Sequence, residues 1–430
     1  MKSSNSFEIR PSARRLSTSL RDVGYSFESA IADLVDNSIT AGASTVNISI
    51  IFEGKQSRVN IQDDGAGMSG LDLNEALRFG SRGSYDTGDL GRYGLGLKTA
   101  SLSQCRRIEV FSRTPHSSVE GRALDLDFID AVDDWLVTDI SDTANNLSLS
   151  KLPPGASGSE IVWKNLDRIL PAKSPNGGWA KRKVESLPGK LSIYLSMVFH
   201  RFLSGEAGQK LVITVNGDPL EPWDPFARSE PATLELAPDE FELETEGGSG
   251  SVVLRRFLLP TRERFTSSEQ YERLSGPEKW NRQQGIYIYR ANRLVQWGGW
   301  AGIRTSDEHT KFARASLDFD TDLDETFNIN VAKMRVAIPS ELRKMLARPV
   351  NELCMQADGA YRRSDVRTTK SHAEQGNGIP SFGGSAESGA SIGLTLRAAA
   401  ARTGNLSALQ EVMEVVAEDM PELAAFLGFD

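Results

Sequence analysis

Three short segments do most to constrain what this chain can fold into: ADLVDNS at Ala32–Ser38, DDGAGM at Asp63–Met68 and GRYGLGLKTAS at Gly91–Ser101. Closely spaced glycines beside a strand end or a helix start let a backbone approach a ligand and present its N–H groups. The periodicity around them is clear. Phe27, Ala30, Ile31, Leu34 and Val35 recur at helical spacing, so Phe27–Thr40 reads as an amphipathic helix with Ser26 as its N-cap. Thr45–Phe52 and Arg58–Gln62 alternate like strands, with a turn at Glu53–Lys55. In this order, the segments imply a nucleotide site.

Two familiar phosphate-binding patterns are excluded by neighbouring residues. GAGMSG at Gly65–Gly70 has dinucleotide-fingerprint spacing, but Asp63 and Asp64 stand directly before it. Two carboxylates there would repel a pyrophosphate, and the short helix expected over Leu71–Arg78 lies outside any βαβ unit. GRYGLGLKT resembles a P-loop, but Leu97 separates Gly96 from Lys98 where that pattern needs Gly next to Lys.

The remaining chemistry is different. A carboxylate at a strand end can accept the exocyclic amine of adenine, a charge-assisted hydrogen bond. Asp63 suits that role, with Gly65 and Gly67 letting the backbone approach the base. Gly91, Gly94 and Gly96 would cradle phosphates on backbone N–H groups, with Lys98 or Arg92 adding positive charge. Asp33 and Asn37 are i, i+4 neighbours and are expected at the cavity edge. A neutral amide such as Asn37 suits a Mg²⁺ that keeps its waters and phosphate oxygens. Asp33 would orient or deprotonate an attacking water.

The 430 residues suggest two or three domains, and 39% hydrophobic with 25% charged residues is ordinary for a globular protein. A net charge of −9 gives no global basic field, so any nucleic-acid contact needs a local patch. Arg255, Arg256, Arg262, Arg264, Lys279 and Arg282 are the candidates, with a charged surface as the plainer reading. Cys105 and Cys354 form no CxxC, and His116, His200, His309 and His372 have no metal-ligand spacing. MKSSNSFEIR has no apolar signal core and no run of 18 apolar residues occurs, so the expectation is a cytoplasmic chain without a membrane segment.

Along the chain, Gly80–Gly91 reads as a mobile loop and Gly94–Ser103 as a helix start. Strands are expected at Arg107–Ser112, Arg122–Phe128, Trp135–Ile140 and Ser159–Trp163, giving an α+β sandwich. A second unit would follow: a helix over Ala180–Leu203, strands at Leu211–Val215, Ser251–Leu259 and Gly285–Tyr289, then Val331–Pro339 and a helix from Ser340 to about Arg362. Residues 364–391 read as a flexible linker, and Leu406–Phe429 as a helical tail for docking or oligomerisation.

The helix IADLVDNS, the DDGAGM turn and the GRYGLGLKTAS loop resemble the N, G1 and G2 boxes of the GHKL ATPases, which include gyrase, the large heat-shock chaperone, histidine kinases and MutL. Within them the chain is most similar to MORC-type ATPases and their bacterial relatives. GIYIYRANRLVQWGGW (Gly285–Trp300) and FNINVAKMRVAIP (Phe327–Pro339) resemble the ribosomal-S5-like transducer. The resemblance covers residues 10–345 and implies a Bergerat-type ATPase domain over 1–175, a transducer over 176–363, the linker 364–391 and a tail 392–430. It implies ATP and Mg²⁺ as cofactors. Nucleotide contacts would come from Asn37, Asp63, Gly65, Gly67 and Met68, then from Gly91, Arg92, Gly94, Leu95, Gly96, Leu97, Lys98 and Thr99. Ser159 would help hold the adenine-binding aspartate, and Lys333 would reach the γ-phosphate. ATP-driven homodimerisation through the N-terminal segment would make a clamp on DNA or a partner protein, with a role in bacterial genome defence.

One position departs from the family. The usual N-box base is Glu; here it is Asp33, shorter by one methylene or about 1.5 Å. A misplacement of about 1 Å can cost on the order of 100-fold in rate. Glu28, five positions upstream and off that face, is a poor substitute. Slow hydrolysis, another geometry and an ATP-gated binding module with negligible turnover all stay open. A chaperone comes third because no middle domain is evident. A histidine kinase is disfavoured because about 30 residues before the N box leave no room for a phosphoacceptor helix pair.

Overall fold

In the computed structural model, two sheets and the helices packed on them occupy most of the chain. The structure describes residues 11–80, 96–147, 149–245, 248–329, 336–374, 396–397, 400, 405–420 and 424–425. The chain divides into two compact units, Met1–Arg362 and Arg363–Asp430. The architecture is α+β, as the pattern of elements predicts.

Helix α1 (Ala13–Leu20) is followed by α2 (Phe27–Thr40), whose Ser26 N-cap accepts from the Ser29 N–H as the sequence predicts. Strands β1 (Thr45–Ile51) and β2 (Arg58–Asp63) follow, then α3 (Gly70–Leu77), α4 (Gly96–Leu102), β3 (Arg107–Arg113) and β4 (Glu120–Asp125). Helix α5 (Leu126–Val132), β5 (Thr138–Asp139) and β6 (Gly158–Lys164) come next. Helices α6 (Gly178–Glu185), α7 (Leu187–Val198) and α8 (His200–Ser204) lead to β7 (Val212–Val215) and β8 (Asp218–Pro219).

Among the described residues, the first sheet runs β5-β4-β3-β6-β2-β1-β7-β8 and is antiparallel except where β7 pairs with β1. The apolar stripe of α2 (Ala30, Ile31, Leu34, Val35) joins Val46, Ile48, Val59, Ile61, Val110 and Trp163 in one core. Leu191, Leu195 and Val198 of α7 and Ile213 of β7 belong to the same core. The first sheet therefore draws on residues beyond 175.

Strands β9 (Leu234–Glu235), β10 (Asp239–Thr245) and β11 (Gly248–Leu258) begin the second sheet. Helices α9 (Ser268–Leu274) and α10 (Lys279–Gln283) precede β12 (Gly285–Arg290), β13 (Arg293–Gln296) and β14 (Ala313–Phe319). The order is β10-β11-β14-β12-β13, with β9 on β11. Helix α11 (Ser340–Glu374) lays Leu342, Leu346, Val350, Leu353 and Ala357 against this sheet's core. The other unit contains α12 (Leu406–Asp419).

Four local expectations need correction. Leu126–Phe128 is helical because Asp125 caps α5, accepting from the Asp127 N–H at 2.9 Å. Within Trp135–Ile140 only Thr138 and Asp139 form a strand. The helix expected over Ala180–Leu203 is three helices; Pro188, which lacks an N–H, sits in the first turn of α7, where that donor is not needed. The region read as linker from residue 364 continues α11 to Glu374; 375–391 lie outside the described residues.

Candidate functional site

Strand β2 ends on Asp63, which is buried at 8% exposure. Its Oδ1 accepts the Gly65 N–H at 3.0 Å and its Oδ2 accepts the Ser38 hydroxyl at 3.0 Å. Burial raises the Asp63 carboxyl above the ordinary carboxylate value, while the Gly65 N–H, the Ser38 hydroxyl and the Ser159 backbone pull the other way. Asp64, beside it, has a different task. It takes the Ser44 N–H at 2.8 Å, the Ser44 hydroxyl at 2.6 Å and the Thr45 N–H at 2.8 Å, closing the loop before β1. Burial would raise its carboxyl, but these three bonds hold it below the ordinary value.

The turn after Asp63 is fastened on both sides. The Ala66 N–H reaches the Ala41 carbonyl at 2.9 Å, and the Met68 N–H reaches the Ser112 hydroxyl at 2.7 Å. Ser112 also pairs with the Ser159 hydroxyl at 2.8 Å. The hydroxyl bonded to the Asp63 carboxylate is therefore that of Ser38, on α2, while Ser159 supports the turn through Ser112 and touches Asp63 through its backbone.

Gly67 is required by neighbouring backbone. Its φ is +71°, and a Cβ would lie 2.0 Å from the Arg113 carbonyl oxygen. Gly67→Ala is expected to cost at least about 2 kcal/mol, since the left-handed conformation alone costs roughly 1–2 and the overlap adds to it. A urea unfolding midpoint equal to wild type would contradict this.

Asp33 is also on α2. It is buried, at 1% exposure. Its Oδ2 accepts the Tyr25 hydroxyl at 2.6 Å. The first residue of α4 closes on the same oxygen, because a Cβ at Gly96 would lie 3.4 Å from it. Burial, then the Asp33 charge, pushes the Tyr25 hydroxyl far above its usual range, so Tyr25 stays a donor. Asn37 is half-buried. Asp36, between them in sequence, is fully buried and accepts Arg293 Nε at 2.8 Å; Arg293 Nη2 lies 3.9 Å from Asp33 Oδ1. Arg293 comes from β13 of the second sheet.

Lys98 is buried near the start of α4. Its buried amine donates to the Ala76 carbonyl at 2.8 Å and the Arg78 carbonyl at 2.7 Å, at the end of α3. Burial lowers its pKa to about 8. Thr99 is buried beside Tyr25, and Leu97 packs on the first core. Gly91, Arg92, Gly94, Leu95 and Lys333 lie outside the described residues.

The two sheets meet through α7, α8 and β12–β14. Tyr194 packs edge-on against Trp297 at 5.9 Å, and His200 Nε2 shares a 2.7 Å hydrogen bond with the Tyr289 hydroxyl. Burial lowers the His200 pKa to about 4, so the ring is neutral near pH 7. The Arg201 guanidinium lies 3.7 Å over the Tyr289 ring and pairs with Asp318. The basic cluster in this region is partly spent on internal pairs: Arg256 is buried against Asp239 and Glu352, Arg255 reaches Asp318, and Lys279 reaches Glu272.

Sequence reasoning missed Tyr25, Ser38, Asp36, Ser112 and Arg293. Ser38 and Asp36 stand inside the ADLVDNS segment, five and three positions after Asp33. Arg293 is separated from Asp36 by 257 positions and carries no local signal.

A metal held wholly by protein is not built here: among the described residues, no group of three or more His, Cys, Asp or Glu side chains could hold one. Asp33 and Asp36 are engaged with Tyr25 and Arg293. The Asn37 amide on that helix fits an ion that takes most ligands from phosphate and water. No helix among the described residues is long and apolar enough to cross a membrane.

No curated protein matches the chain. Residues 25–158 match the family model of the histidine kinase-, DNA gyrase B-, and HSP90-like ATPase. That span begins at Tyr25, contains Asp33, Asn37 and Asp63, and ends where β6 begins, so the match supports a GHKL-type ATPase domain there and, with it, ATP binding in general.

Proposed function

We propose that the chain is a Mg²⁺-dependent ATPase in which nucleotide binding orders the Gly80–Gly91 lid and drives N-terminal dimerisation of a MORC/MutL-like clamp on DNA or a partner protein. The observation that carries the ATP site is the buried Asp63 carboxylate, held at both oxygens by Gly65 and Ser38. An acceptor fixed in this way is preorganised for an exocyclic amine and incurs little reorganisation on binding. Ser38 lies on the same helix as Asp33 and Asn37, so one rigid element sets the spacing between the adenine end and the water-activating end. Asn37 would hold Mg²⁺, which neutralises phosphate charge when bound. Lys333 and the glycines at 91 and 94 are proposed phosphate contacts. The second sheet is the proposed transducer.

A second reading is favoured by one contact. Tyr25 donates to Asp33 at 2.6 Å, and a carboxylate so engaged, on a side chain already one methylene short, is a weak base for water. In that reading ATP is a switch with negligible turnover. Phosphate release by wild type, Asp33→Ala and Asp33→Glu separates the two. The ATPase reading expects Asp33→Ala to lose on the order of 100-fold or more in kcat with binding retained. Three equal background rates with intact binding would establish the switch.

A further inference from the structure

Helix α2 carries two fully buried carboxylates three positions apart, Asp33 and Asp36, and the guanidinium of Arg293 faces both. Residues at this spacing share a helix face. Two anions that close repel one another, and the pull of a guanidinium on each grows as the distance falls. The short contact, 2.8 Å, is to Asp36; the approach to Asp33 Oδ1 stops at 3.9 Å. Of these two carboxylates, Asp36 is therefore the one that holds the guanidinium more closely. Arg293 stands on β13, whereas both acids stand on α2. A displacement of the second sheet along this contact would move the charge between the two carboxylates.

We propose that Arg293 is a positioning residue through which the second sheet controls Asp33: Asp36 holds the guanidinium off Asp33, and losing that hold delivers it to Asp33. With the guanidinium held away, the Asp33 carboxylate faces Gly96 and Tyr25 in the orientation described above. With the guanidinium in direct contact, Asp33 is tied into an ion pair and no longer serves a water. This rests on Asp33 acting as the base.

The test compares phosphate release and ATP affinity for wild type, Asp33→Asn, Asp36→Asn, Asp36→Glu and the double variant Asp36→Asn/Arg293→Gln. Asp36→Asn leaves one carboxylate to one guanidinium among these three residues, so it is expected to fold, and ATP affinity within about threefold of wild type verifies that. Its kcat is expected to fall by roughly 30-fold or more, the scale of a misplaced catalytic group. Asp36→Glu, which keeps the charge, should stay within about fivefold of wild type, and the double variant should recover at least about fivefold over Asp36→Asn. A purely structural role predicts a double variant slower than Asp36→Asn, and that result would overturn the proposal. So would Asp36→Asn turning over like a wild type that is itself faster than Asp33→Asn. Wild type no faster than Asp33→Asn would instead overturn the base reading, and this proposal with it.

Discussion

Arg293→Met should lose about 3–5 kcal/mol of folding stability, the range for removing one partner of a buried ion pair. Asp33 and Asp36 are 1% and 0% exposed, and Arg293 is 1% exposed at the side chain. Taking the guanidinium away leaves two carboxylates in a low-dielectric interface with like charge one helical turn apart. Methionine matches much of the volume and keeps the packing near Phe199, whose ring lies 5.8 Å from the guanidinium, so the loss is electrostatic rather than a cavity effect. The measurement is the urea midpoint and slope with circular dichroism. A shift within about 0.5 kcal/mol, the range of an exposed substitution, would show that the pair contributes nothing. Asp36→Asn is the informative contrast, because it reduces buried charge without orphaning the cation.

Asp63→Asn should weaken binding of a fluorescent ATP analogue by about 100-fold while leaving the protein folded. A hydrogen bond to a charged group contributes about 1.5–3 kcal/mol net, which is roughly 10- to 150-fold. Asparagine does worse than lose that bond. Both Asp63 oxygens accept, whereas an amide replaces one of them with an NH₂ that donates and cannot accept an exocyclic amine. Asp64→Asn is the control: its partners are Ser44 and Thr45, so it should loosen the loop before β1 and spare nucleotide affinity. Equal analogue binding by wild type and Asp63→Asn would remove the adenine assignment. The same site has a pH signature. Burial raises the Asp63 carboxyl, so its protonated form is reached at higher pH than for an ordinary aspartate. ATP affinity should fall as pH drops through that raised value, and Asp63→Asn should lack this dependence. For folding the sign is opposite: a raised acid contributes stability at low pH and loses it as pH rises through its folded value.

Much of the first sheet and α2 was legible because the signals were local. Ser26 followed by Phe27, Ala30, Ile31, Leu34 and Val35 specifies a capped, one-sided helix without reference to anything distant. The part of the first sheet and its core that comes from beyond residue 175 was less legible: Pro188 in the first turn of α7 separates it from α6, and the parallel addition of β7 to β1 joins segments far apart in the chain. For Gly67, the sequence indicated a close approach to a ligand; the tertiary contact is the carbonyl of Arg113.

By itself, the sequence determined the position of the acidic turn, the helix bearing Asp33 and Asn37, and the exclusion of the P-loop and dinucleotide patterns. These follow from identity at adjacent or helically spaced positions, where side-chain direction is set by backbone geometry. Only the tertiary structure decided that Ser38 is the hydroxyl on Asp63, that Asp64 is structural, that Lys98 caps the end of α3, and that Arg293 faces Asp33 and Asp36. The reason is physical. An arginine destined for a buried carboxylate pair has the same letter and the same neighbours as one destined for water, and only packing two sheets together removes the solvent that makes them equivalent.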